Sequence, residues 1–63
     1  MILGNKFHFR QFNLPKVIYT AIVEGDLVYV CWEDTPQTTS GYKIYTIWLV
    51  EDFLASGVWE CVD

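Results

Sequence analysis

A chain of 63 residues holds one domain and no more, and a domain of that size buries only about 60% of the surface its unfolded chain exposes. With 52% hydrophobic and 17% aromatic residues, it carries more large apolar side chains than so small an interior hides, which points to a partner site and leaves a homo-oligomer open. A net charge of -4 disfavours nucleic acid, whose phosphates are bound by Lys and Arg displacing counterions, and no apolar run approaches the ~20 residues that a membrane span needs.

The opening Met1-Ile2-Leu3-Gly4 is too short for the apolar region of a signal peptide, so the expected location is the cytoplasm. Lys6 to Arg10 then alternates strictly, with Phe7 and Phe9 on one side and Lys6, His8 and Arg10 on the other. Period two predicts a half-buried strand, and its outward cations are those of an edge. Gln11 to Pro15 breaks the pattern and reads as a loop with Phe12 as its apolar anchor, because Pro15 cannot donate to a ladder.

Val17 to Val23 and Leu27 to Trp32 are rich in β-branched and aromatic residues and are joined across Glu24-Gly25-Asp26, where Gly25 supplies the positive φ of a tight hairpin. A two-residue loop at Glu24-Gly25 puts Val17, Tyr19, Ala21 and Val23 on one face with Val28, Val30 and Trp32. Ile18, Thr20, Ile22, Leu27, Tyr29 and Cys31 then share the other, which predicts partial cover on both faces, as in a small barrel. A three-residue loop would exchange the partners.

Glu33 to Gly41 is a run of turn formers and reads as a solvated loop. A short strand follows over Tyr42 to Tyr45. Thr46 is a suitable helix N-cap, Leu49, Val50, Phe53 and Leu54 fall on one helical face, and Gly57 suits the left-handed stop. Val58 to Val62 is the last strand. The sum is a single mainly β domain over residues 1–63, small α+β in class, with about five antiparallel strands and one short helix before the last. It is similar to an SH3-like barrel with the helix closing one end.

The candidate functional residues fall into two sets. Trp48 points away from the apolar face of the helix, beside Glu51 and Asp52, and an aromatic on an acid-flanked outer face has the character of an interface anchor. The acidic pair Glu33 and Asp34 extends this partner-binding set. The bland alternative folds Trp48 back over the preceding strand. The second set, Lys6, His8, Arg10 and Phe12, interleaves cations with aromatics, the pairing that stacks bases and holds phosphates. It suits a small nucleotide better than a long duplex, since Lys6, Arg10 and Lys16 lie in the first sixteen residues and the chain beyond them carries all eight acids and only Lys43 against them.

No catalytic residues stand out. His8 is the single histidine and has no ligand partner at metal spacing, Ser40 and Ser56 lack a base, and neighbouring carboxylates such as Glu51 and Asp52 point apart. The four glycines are isolated, so no phosphate-cradling loop is present. Neither a metal nor a cofactor is expected. Cys31 and Cys61 have no CxxC spacing and are expected as buried, reduced small hydrophobes.

The order Lys6-Phe7-x-Phe9, Tyr19-Thr20-Ala21, Gly25-Asp26-x-Val28-x-Val30-x-Trp32, Tyr45-Thr46, Phe53 and Gly57-Val58-Trp59 resembles short accessory proteins encoded by tailed bacteriophages. The resemblance implies a context, the host cytoplasm, and a role in binding and blocking a host protein of defence, transcription or nucleic-acid metabolism. It carries over no functional residue. Three functions therefore follow as expectations: a non-catalytic inhibitor or modulator binding a host protein, an oligomeric sponge for a nucleotide or signalling molecule, and a small structural part of a virion.

Overall fold

Five strands and one helix follow one another in the computed structural model, which describes residues 5–34, 36 and 39–62. The strands are β1 (Lys6–Gln11), β2 (Leu14–Glu24), β3 (Leu27–Trp32), β4 (Gly41–Thr46) and β5 (Trp59–Cys61), and helix α1 (Ile47–Ser56) stands between β4 and β5. All pairings are antiparallel, in one open sheet of order β4-β3-β2-β1-β5. The protein is thus mainly β, with one short helix before the last strand, as the patterning predicts. No helix among the described residues is long and apolar enough to cross a membrane.

The central hairpin turns on Gly25 and Asp26, with Glu24 opposite Leu27. Gly25 has φ +60°, a region open to glycine because it has no Cβ. The loop lies one residue beyond Glu24-Gly25, which shifts each partner by two and leaves the faces unchanged. Val23 stands opposite Val28 and Ala21 opposite Val30, on the face with Val17 and Tyr19.

Two features of the first strand depart from expectation. β1 lies inside the sheet, between β2 and β5, because the short β5 returns to pair with it through Phe9 and Cys61, Arg10 and Glu60, and Gln11 and Trp59. The connection to β2 is a tight turn at Phe12 and Asn13, with Gln11 opposite Leu14. The register shifts between Phe9 and Gln11, and Pro15, which has no N–H to offer a ladder, falls within that irregularity. Phe12 is no anchor. It is 72% exposed, and only its backbone is tied down, by donation from its N–H to the Val58 carbonyl.

The core lies on one face of the sheet. Phe7, Phe9, Val17, Tyr19, Ala21, Val28, Val30 and Trp59 are buried there, together with Val50 from the helix. Its centre is aromatic: the Phe9 ring stacks on Trp59 at 3.9 Å and on Tyr19 at 5.1 Å between centroids, while Tyr45 meets both Trp59 and Phe53 edge to face and Phe53 lies tilted against Trp59. Burial of this aromatic area is the dominant stabilising term in so small a chain.

Helix α1 forms where the pattern places it. The Thr46 hydroxyl accepts from the Leu49 N–H at 3.4 Å, and Gly57 closes the helix at φ +84°. Val50 is buried, and Phe53 and Leu54 are half-buried against the core. Leu49 departs from the predicted apolar face and is exposed, its place on the core side taken by Ile47 from the first turn.

Candidate functional site

The outward side of α1 presents Trp48 at 62% exposure, next to the exposed Leu49, Glu51 and Asp52. Its position is fixed from both ends. Beyond the Thr46 cap, the Ile47 N–H donates to the carbonyl of Asp26 at 2.8 Å, which ties the start of the helix to the central hairpin turn. At the other end, just past the Gly57 stop, the Val58 carbonyl accepts from the Phe12 N–H at 3.1 Å, which ties the chain leaving the helix to the β1–β2 turn. With Val50, Phe53 and Leu54 held on the core, Trp48 does not fold into the interior.

Glu33 and Asp34 do not join this surface. Trp32 pairs with Gly41 and Leu27 with Thr46, so Glu33, next to Trp32, and the helix start lie at opposite ends of β4, whose length is about 17 Å at the usual rise of an antiparallel strand. Asp34 also has a local task. Its Oδ1 accepts from the Ser40 N–H across the loop, and the Trp32 indole donates to the Thr39 carbonyl at 2.8 Å.

The basic and aromatic set is distributed over β1 and its turn. Lys6, His8 and Arg10 project from the face of the sheet opposite the core, and Phe12 sits at the turn beyond. The Arg10 guanidinium is engaged by Glu60, its Nε donating to Oε1 at 2.6 Å with a second contact from Nη2 to the same oxygen. Of the two cations of this set, Lys6 and Arg10, one therefore already holds a carboxylate.

The largest exposed feature is one that sequence reasoning assigned elsewhere. Ile18, Ile22, Leu27, Tyr29, Tyr42 and Ile44 lie on the outer face of β2, β3 and β4 with exposures between 38% and 78%. The expected partial cover of this face is absent among the described residues, since α1 packs on the core side. Cys31 lies in the same surface and is exposed, as is Cys61 on β5; both are free thiols, so the expectation of buried cysteines fails for each. The signal was present in the sequence as a hairpin apolar on both faces. An open depression of about 480 Å³ borders the surface, lined by Ile18, Thr20, Cys31, Trp32, Glu33 and Asp34.

Among the described residues, no three of His, Cys, Asp and Glu gather to form a metal-holding group. Comparison of the chain with protein-family models, with curated proteins and with solved structures gives no match. The class that fold and surface define is a small, mainly β protein with two exposed apolar surfaces, one on the helix and one on the outer face of the sheet.

Proposed function

We propose that this protein is a non-catalytic interaction module that binds a partner protein through the outward side of α1, with Trp48 as the anchor and Glu51 and Asp52 beside it. The observation that supports this reading is a tryptophan 62% exposed on a helix secured at both ends. An anchor held in place loses little freedom on binding, and tryptophan is among the residues enriched at the centres of protein interfaces. The matching partner offers an apolar pocket rimmed by basic side chains, which the two carboxylates steer and orient.

The resemblance to bacteriophage accessory proteins suggests a host cytoplasmic protein as that partner and inhibition as the outcome. Engagement of Arg10 by Glu60 is the reason the helix surface, rather than the basic and aromatic strand, carries the reading. The test is affinity capture from bacterial lysate with wild type and Trp48→Ala in parallel, followed by titration of the captured protein. Loss of about 2 kcal/mol on truncation of Trp48, roughly 30-fold in Kd, supports the assignment. Equal affinity of the two proteins, or an empty wild-type lane, refutes it.

A further inference from the structure

The outer face of the sheet is a surface separate from that of the helix, which packs on the core side. Its side chains form cross-strand rows: Ile22, Tyr29 and Ile44 in one, Thr20, Cys31 and Tyr42 in the next, and Leu27 with Thr46 at the hairpin end. Six of the large apolar side chains exposed by the described chain lie here, against two on α1. At their observed exposures the six leave about 600 Å² in water, the upper end of what a monomer tolerates in one patch, and near the roughly 800 Å² per partner of a stable complex. Thr20 and Cys31, lying between them, narrow that gap.

The charges around the patch select the occupant. Lys43 belongs to the other face of β4, where its Nζ stands 5.4 Å from the centre of the Tyr45 ring. Arg10 is engaged by Glu60. The flanking charges, Lys6 beside Ile22, Lys16 two residues before Ile18, Glu24 opposite Leu27 in the hairpin-end row and Glu33 beyond Trp32, occupy the rim, and the two central rows, Ile22-Tyr29-Ile44 and Thr20-Cys31-Tyr42, carry none across β2, β3 and β4. A basic partner would be drawn to the acids, and Glu51 and Asp52 lie on the helix across the sheet. In a two-fold interface the same patch faces itself, so any charge at its centre would meet a like charge; a neutral, apolar centre with mixed charge at the rim is what self-pairing requires.

We propose that this face is the interface of a two-fold homodimer, in which the outer faces of two copies pack as the layers of a sandwich. Face-to-face sheets stack about 10 Å apart, a spacing their interdigitated side chains fill. Tyr29 and Cys31 on β3, the middle strand of the patch, lie near its centre. Both copies of α1 remain on the outside, so the dimer presents two Trp48 surfaces directed away from each other.

Sedimentation velocity over a concentration series gives the first reading. The wild-type mass rises from 7.4 kDa to twice that value, and Ile22→Lys and Tyr29→Lys each raise the dissociation constant by at least about tenfold, because each buries an unpaired charge at the interface. Glu51→Ala, on the helix, leaves the dimer unchanged. A wild type that stays at the monomer mass overturns the proposal. So does a dimer indifferent to Ile22→Lys, since pairing through the exposed edge of β4 would not involve β2.

Thiol alkylation of the unmutated chain supplies a second reading that no folding defect can confuse. Cys31 reacts at least about tenfold more slowly as concentration rises and the dimer covers it, while Cys61, on the core side of β5, keeps its rate. Parallel rates for the two thiols at all concentrations overturn the proposal.

Discussion

Phe9 and Phe12 allow a sharp test of where this fold draws its stability, because the same truncation is made three residues apart in opposite surroundings. Phe9 is fully buried and stacked on both Trp59 and Tyr19, whereas Phe12 is 72% exposed. Truncating a core phenylalanine costs about 3–5 kcal/mol through lost transfer energy and the cavity left behind, and two aromatic partners place Phe9→Ala at the upper end. A chain of 63 residues has a total stability of about 3–9 kcal/mol at the usual value per residue. Phe9→Ala therefore removes half of it or more and lowers Tm by about 30–40 °C or unfolds the chain outright, while Phe12→Ala changes stability by less than about 0.5 kcal/mol. Urea unfolding followed by tryptophan fluorescence reads the difference, since buried Trp59 reports on the core; dilute protein keeps self-association out of the measurement. A cost below about 2 kcal/mol for Phe9→Ala, or one above about 1 kcal/mol for Phe12→Ala, would refute the assignment of the aromatic cluster as the centre of the core.

Thr46→Ala, read by thermal unfolding, removes the acceptor for the Leu49 N–H and costs about 0.5–1 kcal/mol, at the low end for a cap because the bond is 3.4 Å long, whereas Thr46→Ser is close to neutral. Gly57→Ala forces a Cβ into φ +84°, where no neighbouring atom crowds it, so its cost of about 1 kcal/mol is purely conformational, and Gly57→Asn costs less in the same assay. Burial, and then the negative charge of a Tyr45 phenolate, raise the Tyr19 phenol above its ordinary value of 10.0. The unfolded chain thus releases this proton first; the Tyr19 contribution is complete below pH 10.0 and is lost as pH rises from there through the higher folded-state value, and urea titrations on either side of pH 10.0 show a shallower fall for Tyr19→Phe.

Much of the fold was legible because local and tertiary demands agree. The hairpin glycine, the Thr46 cap, the Gly57 stop and the alternation of Phe7 and Phe9 each have one cheap local solution, and the sheet uses all of them. What sequence could not supply was adjacency. β1 has the outward cations of an edge, yet it is interior because Trp59–Cys61, some fifty residues away, pairs with it and brings Glu60 to Arg10. Phe12 has the composition of an anchor and lies in a two-residue turn next to a register irregularity that no period reveals. The candidate site was legible in part. The outward direction of Trp48 follows from helical periodicity alone, but the distance between Glu33 and the helix depends on the path of β4.

The outer face is where the fold and its sequence part company, and the reason is geometric. A single helix of ten residues covers one face of the sheet, and the alternation of a strand gives each face its own set of side chains. For the monomer it would suffice that Val17, Tyr19, Ala21, Val28 and Val30 be apolar; the opposite set could be threonine and charged residues without loss to the core. Instead Ile18, Ile22, Leu27, Tyr29, Tyr42 and Ile44 stand in water, in a chain already short of interior to hide them. Those side chains do nothing for the packing of Phe9, Tyr19 and Trp59, and they expose about as much apolar surface as one side of a small interface buries. A patch of that size, charged only at its rim, on a sheet whose other face already has its helix, is what the proposed homodimer would cover by laying a second sheet against it.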